Sequence, residues 1–155
     1  MVRWSKMTYA LSDYQLTIDC NDPEMKRAIG SITIGGDGEQ NALDTISVTY
    51  KDNLWETESY ATGAWVHNKN LSRVGTIKLN LNMLSDYTGQ LTTLTKYYYN
   101  AKSYKALTLT VTDRAGNNTM AYATDCFPEK LPDLSLQASA QMNEWTFTCG
   151  QIECY

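Results

Sequence analysis

The sequence predicts a mainly β protein, a sheet with one helix packed against it. Period-2 alternation of apolar and polar residues recurs in segment after segment, and clusters of turn-forming residues separate those segments. Only one stretch of the chain changes to a helical period.

Taken in order, Tyr14–Asp19 and Ser31–Ile34 are the first strands, and "GGDGEQN" after Ile34 reads as a turn. In "TISVTY", Ile46, Val48 and Tyr50 fall on one face and Thr45, Ser47 and Thr49 on the other, the pattern of a half-buried antiparallel strand. "TIKLNLN" repeats it, with Ile77, Leu79 and Leu81 set against Thr76, Lys78 and Asn80. Between these two strands lies "NLWETESYATGAWVHNK", Asn53–Lys69, which holds two of the four tryptophans. It reads as a protruding hairpin that displays Trp55, Tyr60 and Trp65 rather than burying them.

From Leu84 to about Lys102 the apolar or aromatic positions Tyr87, Leu91, Leu94 and Tyr98 are spaced as one stripe of a helix. Ser85 or Asp86 supplies the cap, because a short side-chain oxygen accepts from the first orphan amides. Gly89 and the threonines lower the intrinsic propensity, so packing must hold this helix. "LTLTVT" then points Leu107, Leu109 and Val111 inward, and Asp113–Asn118 is a hairpin loop in which Gly116 and Asn117 tolerate positive φ. Thr119–Cys126 and Leu134–Ala140 follow as strands with the turn "PEKLPD" between them, and "EWTFTCGQIEC" closes the chain with Trp145, Phe147 and Cys149 inward.

At 155 residues the chain is expected to be one domain, 1–155, with no linker or repeat to divide it. A net charge of −4 and the absence of any basic run argue against a nucleic-acid or anionic-membrane binder. No window nears the roughly 18 consecutive apolar residues of a membrane span, and "MVRWSKMTYALS" lacks the apolar core of a signal peptide, so a soluble cytosolic product is expected. Cys20, Cys126, Cys149 and Cys154 contain no CxxC pair; free, mostly buried thiols are expected rather than disulfides or a zinc site. The acceptor patterns at Asn70 and Asn117 carry no meaning without secretion.

Signs of catalysis are missing from the sequence. His67 stands beside Asn68 and Lys69 without an evident partner and reads as a surface residue. Glu56 and Glu58 share one strand face at i and i+2, which could serve an acid/base pair or a cation but reads as a solvated or interfacial face. "GGDGEQ" lacks the Lys-Ser/Thr of a phosphate loop, and neither GxSxG nor HExxH occurs. No enzymatic activity, cofactor or metal is expected. Binding or building remains. The polar strand faces are rich in Thr, Ser and Asn, and the strands carry few of the charges or prolines that guard edges, so pairing with other copies is favoured.

The order of these elements resembles a known family. "YALSDYQLTID", "GSITIGG", the strand-turn-strand ending "YATGAWVHNKNLSRVGTIKLNL", the helix, "LTLTVTDRAGN", "FPEKLPDLSL" and "EWTFTCGQIE" are together similar to the tail tube proteins of contractile-tailed bacteriophages, whose fold bacteriocin and type VI secretion tubes share. The resemblance implies two packed antiparallel sheets forming a β-barrel or sandwich, one flanking α-helix at about 85–102 and a long projecting β-hairpin at about 45–82. It also implies self-assembly as homohexameric rings stacked into a tube. The hairpin would meet the neighbouring ring through Trp55, Glu56, Glu58, Tyr60, Trp65 and His67, its tip falling in or near "TESYATGAWVHNKN" with Gly63 one candidate for the tip residue, and "GGDGEQN" would be either a turn or a second interface loop. The implied partners are tail sheath, baseplate and tape-measure proteins, with double-stranded DNA only in transit and no membrane. The implied location is a virion tail assembled in the host cytoplasm.

Six copies at −4 each give about −24 per ring, a sign that disfavours phosphate contact and suits a conduit. Two rival readings come from the residues themselves. One is a stand-alone β-sandwich that binds carbohydrate or mediates adhesion through Trp55, Tyr60 and Trp65. The other is a small hydrolase built on Glu56 or Glu58.

Overall fold

The order of strands in space is set by which faces must be buried together. The computed structural model describes residues 14–35, 43–100, 105–113 and 118–155. Nine strands are present among them: β1 (Tyr14–Cys20), β2 (Ile32–Gly35), β3 (Leu43–Tyr50), β4 (Trp55–Ser59), β5 (Trp65–Lys69), β6 (Gly75–Asn82), β7 (Leu107–Asp113), β8 (Thr119–Pro128) and β9 (Met142–Cys154). Two helices accompany them, α1 (Pro23–Ala28) and α2 (Asp86–Asn100). Seven strands form one antiparallel sheet in the order β2-β1-β7-β8-β9-β6-β3, and β4 and β5 form a second, two-stranded sheet. The fold is mainly β, as the alternation requires. The packed layers are arms of a single curled sheet, in which Ile46 and Val48 of β3 come to share a recess with Val111 and Ala121 of β7 and β8.

The inward residues behave as their spacing demands. Leu16, Ile18, Ile77, Leu79, Leu81, Leu107, Leu109, Trp145, Phe147 and Cys149 join one core. Alternation slips once near the chain's end: Cys149 and Ile152 are buried while Gly150 and Gln151 between them are exposed. Opposite that slip Asp125 adopts a φ of 54°, and a Cβ on Gly150 would lie 3.1 Å from the Cβ of Asp125. Such an irregularity bends the strand pair and helps the sheet curl.

The helix at 86–100 is held as its sequence requires. Ser85 is the residue that caps it, accepting from the Tyr87 amide at 3.2 Å. Leu91 and Leu94 are buried, and Tyr87 and Tyr98 pack at the edge of the core. The Tyr98 ring meets Phe127 edge-on with centroids 5.6 Å apart, and its hydroxyl donates to the Lys105 carbonyl. Burial raises the Tyr98 phenol well above its usual pKa. The expected end at Lys102 lies outside the described residues.

Two elements differ from expectation. Helix α1 was not anticipated, although its signals are local: Asp22 accepts from the Glu24 amide, proline occupies the first turn, and Lys26 and Arg27 close the last. Its single buried side chain, Met25, plugs the core. The second difference is a correction. Leu134–Ala140 is not a strand; the chain from Glu129 to Gln141 carries no ladder, and Leu134 and Leu136 are each 76% exposed. A strand needs a free neighbour. The strand that follows, β9, is already paired along both edges, with β6 and β8.

The ends of the expected loop at Asp113–Asn118 are joined by the Asp113 amide donating to Asn118 at 3.1 Å, while positions 114–117 lie outside the described residues. The "GGDGEQN" turn falls outside them too, except for Gly35, the last residue of β2. All four cysteines are free, with Cys20, Cys126 and Cys149 buried and Cys154 exposed. Burial, first, raises the Cys20 thiol, aided by the nearby Asp19 carboxylate. Among the described residues no helix is long and apolar enough to cross a membrane.

Trp145 is 2% exposed, and its indole Nε1 has no hydrogen-bond partner among the described residues. A buried donor without a partner costs about 1–3 kcal/mol. Trp145→Ala is therefore expected to destabilise the fold by roughly 3–5 kcal/mol through the cavity it leaves. Trp145→Phe should cost clearly less, because it removes the orphaned donor along with some volume. Urea unfolding of both variants checks the order, and equal losses would contradict it.

Candidate assembly surface

The projecting arm begins where the main sheet ends. Tyr50 is paired with Gly75 in the large sheet, and Trp55 with Lys69 in the small one. Four residues on the outgoing arm, 51–54, thus oppose five on the return, 70–74. That mismatch works as a bulge, and it divides what the sequence suggested as one long hairpin into two ladders. Two backbone bonds bridge the gap: the Lys51 amide donates to Val74 at 2.9 Å, and the Asn70 amide to Leu54 at 2.8 Å.

Beyond the joint, β4 and β5 run in register as Trp55↔Lys69, Glu56↔Asn68, Thr57↔His67, Glu58↔Val66 and Ser59↔Trp65. The turn is closed by the Tyr60 amide donating to Ala64 and the Gly63 amide donating to Tyr60, both at 2.9 Å. Gly63 lies in this tip with φ 88°, a conformation that glycine adopts without strain.

Opposed residues in an antiparallel pair share a face, as do residues two apart. The six candidate residues therefore separate into two sets of three. Trp55, Trp65 and His67 lie on one face, with Thr57, Ser59 and Lys69. Glu56, Glu58 and Tyr60 lie on the other, with Val66 and Asn68. The Lys69 ammonium sits 5.6 Å from the centre of the Trp55 ring. His67 is not without a partner, for its Nδ1 lies 2.8 Å from the Thr57 hydroxyl. On the second face the Tyr60 hydroxyl donates to Glu58 at 3.2 Å, and the Asn53 amide group donates to Glu56 at 2.9 Å. Each carboxylate is thus turned to a local donor. Among the described residues no group of three His, Cys, Asp or Glu is placed to hold a metal ion.

Every residue of β4 and β5 is exposed. Trp55 is 53% and Trp65 65% exposed, and the two indoles stand at opposite ends of their face, four residues or roughly 13 Å apart. One sits by the root and one by the tip. Leu54, Tyr60, Val66, Leu71 and Val74 extend the exposed apolar surface along the arm.

The root is anchored to the last strand. The Tyr50 hydroxyl donates to the Ile152 carbonyl at 2.9 Å, the Ile152 amide donates to the Arg73 carbonyl at 3.1 Å, and Arg73 pairs with Glu153 at 2.9 Å. Tyr50 also donates toward the Cys154 sulfur, and that contact, first, raises its pKa. The ion pair is half exposed and adds little by itself. A cleft of about 840 Å³ lies here, walled by Leu54, Lys69, Leu71, Arg73, Glu153 and Tyr155. Sequence reasoning did not single out Tyr50, Arg73 or Gly75 for this role, since their partners lie up to 102 residues away.

Gly75 is where the close approach is tightest. A Cβ there would run into the Thr49 carbonyl oxygen and the side chain of Ile152. Gly75→Ala is expected to cost on the order of 1–3 kcal/mol through overpacking at the root. Gly63→Ala has open space around it but positive φ, so the loss of about 1–2 kcal/mol is confined to the tip. Thermal melts should show a large shift for the first and a small one for the second; the reverse order would mean that the tip is coupled to the core.

Comparison with known proteins identifies the family and supports the fold. The family model described as Bacteriophage PhiTE tail tube protein matches residues 7–155. Among solved structures, the chain is similar to one from the PVC extracellular contractile injection system, in its sheath-tube complex in the extended state. That similarity has a TM-score of 0.55 at 12% identity and covers 97% of this chain and 95% of the other. A chain of the anti-feeding prophage baseplate gives 0.56 at 10% identity, covering 96% of each. A chain from the PVC sheath/tube terminator gives 0.50 at 15% identity, covering 96% and 99%. The search of curated proteins finds no match.

Proposed function

This chain belongs to the bacteriophage PhiTE tail tube protein family, and on that premise we propose that it self-assembles into hexameric rings stacked as the inner tube of a contractile tail. The tube would carry double-stranded DNA during ejection. The sheath would surround it, the baseplate would cap one end, and a tape-measure protein would occupy the lumen during growth. The particle would be built in the bacterial host cytoplasm and the protein would reside in the virion tail.

One observation carries this reading. A two-stranded arm stands clear of the core with every residue exposed and with two indoles displayed on one face. An isolated hairpin is marginally stable in water, and apolar surface of this kind marks an interaction site. Tryptophan and tyrosine supply large contact area at low entropic cost. A contact made by an arm on a different surface of the next copy is heterologous, and such contacts propagate along an axis.

Trp55→Ala and Trp65→Ala are expected to leave a soluble β-rich fold, since neither residue touches the core. Each should weaken ring stacking by on the order of 2 kcal/mol or more. Electron microscopy would then show short or absent tubes with the melting temperature of the unassembled chain unchanged. Full-length tubes from both variants would sink the assignment of this arm.

The charge of the chain yields a second test. With a net charge of −4 per copy, assembled tubes should not retain duplex DNA in a shift assay at about 150 mM salt, because few phosphates would be neutralised. Tight retention that weakens steeply with salt would contradict a low-friction lumen.

A further inference from the structure

Among the described residues the chain carries a strand-patterned segment that pairs with no strand and a strand, β3, with one unpaired edge. We propose that Leu134–Ala140 of one copy adds as a strand to the open edge of β3 in a neighbouring copy. This inference rests on the reading of the chain as a self-assembling tube protein.

The donor is marked by its sequence and its exposure. Leu134, Leu136, Ala138 and Ala140 alternate with Ser135, Gln137 and Ser139, so an extended conformation puts all four apolar side chains on one face. Both leucines are 76% exposed, and the segment makes no backbone ladder. The Gln137 side chain bonds to Ser135 at 3.2 Å, which keeps the polar side chains together. Within its own chain the segment connects β8 to β9, and both edges of β9 are occupied.

The acceptor is β3, an eight-residue strand that is an outer strand of the sheet, paired with β6 alone among the described residues. The Lys51 amide donates to Val74, which fixes the alternation of hydrogen bonds along β3. Odd-numbered residues direct their backbone groups to β6, and the amides and carbonyls of Ile46 and Val48 point away from it. Natural edges are blunted by lysine, proline or a covering element. From Leu43 to Tyr50 the only charged residue is Asp44, and proline is absent.

The core is also incomplete beside this edge. Ile46 and Val48 are only half-buried, and an apolar recess of about 260 Å³ opens between them and Val111, Met120 and Ala121. A strand added to β3 continues the sheet's inner face at that place. Leu134 and Leu136 are exposed apolar side chains of a size to enter it. Donor and acceptor are comparable in length, seven residues against eight, and are not paired with each other within one chain. A second copy is therefore the fitting occupant, and the contact is heterologous, as a ring requires.

The test uses the full chain and the double variant Leu134→Asp/Leu136→Asp. Wild type should form rings or tubes by electron microscopy and sedimentation. The variant should keep the wild-type melting temperature as a monomer but need about tenfold or more protein to assemble. Position is tested by co-assembly of two variants that each carry one introduced cysteine in a Cys154→Ser background, where the three native thiols left are buried: one has Ser47→Cys and the other Ser135→Cys, Gln137→Cys or Ser139→Cys. A short bismaleimide should link them into a dimer that neither variant forms alone. Normal assembly of the double variant overturns the proposal, as does a core-like loss of its melting temperature or assembled material that gives no mixed dimer. If wild type itself does not assemble, the tube reading fails first, a result distinct from a wild type that assembles by another contact.

Discussion

Most of this structure depends on β9 being hydrogen-bonded along both edges. Thirteen residues long, it joins β6 on one side and β8 on the other, and it brings Trp145, Phe147, Cys149 and Ile152 into the core. Strands from both halves of the chain meet on it. Its far end also holds the root of the projecting arm, through Tyr50 and Arg73. The same double pairing leaves the preceding segment without a neighbour, which is why Leu134–Ala140 is unpaired although its pattern is that of a strand.

The arm shows how a sheet can support an element that could not stand alone. Two five-residue strands with no buried side chain provide little hydrophobic stabilisation of their own. Their position is fixed from below, by the ladder of β3 with β6, the close approach at Gly75 and the bonds to the end of β9. The mismatch of four residues against five at the joint then turns the arm relative to the sheet it leaves.

Separation of the arm into two faces gives it chemical polarity. One side offers two indoles with a lysine stacked near the first; the other offers two carboxylates, each held by a neighbouring donor. A partner surface that reads both faces needs an apolar recess on one side and amide or basic groups on the other. This arrangement favours one orientation of the arm over the flipped one, since turning it over would bury Glu56 and Glu58 against the apolar recess.

The sequence alone determined most of the inward residues of β1, β6, β7 and the first part of β9, because a period of two is a local property and burial of one sheet face enforces it. It determined the stripe of α2, whose Leu91 and Leu94 are spaced for one side of a helix, and it marked Trp55 and Trp65 as displayed on a hairpin, where both are exposed. The signals for α1 were present in Asp22, Pro23 and Arg27 but spanned too short a run to stand out from a turn. Other features could not be read locally. Whether Leu134–Ala140 becomes a strand depends on a free edge elsewhere, and pairing of β9 with β6 and β8 removes it. The placing of Trp65 and Glu58 on opposite faces depends on the register of β4 with β5, which sets Trp65 opposite Ser59. Alternation states which side of a strand would be buried; only the tertiary structure decides whether it has a neighbour and in what register they meet.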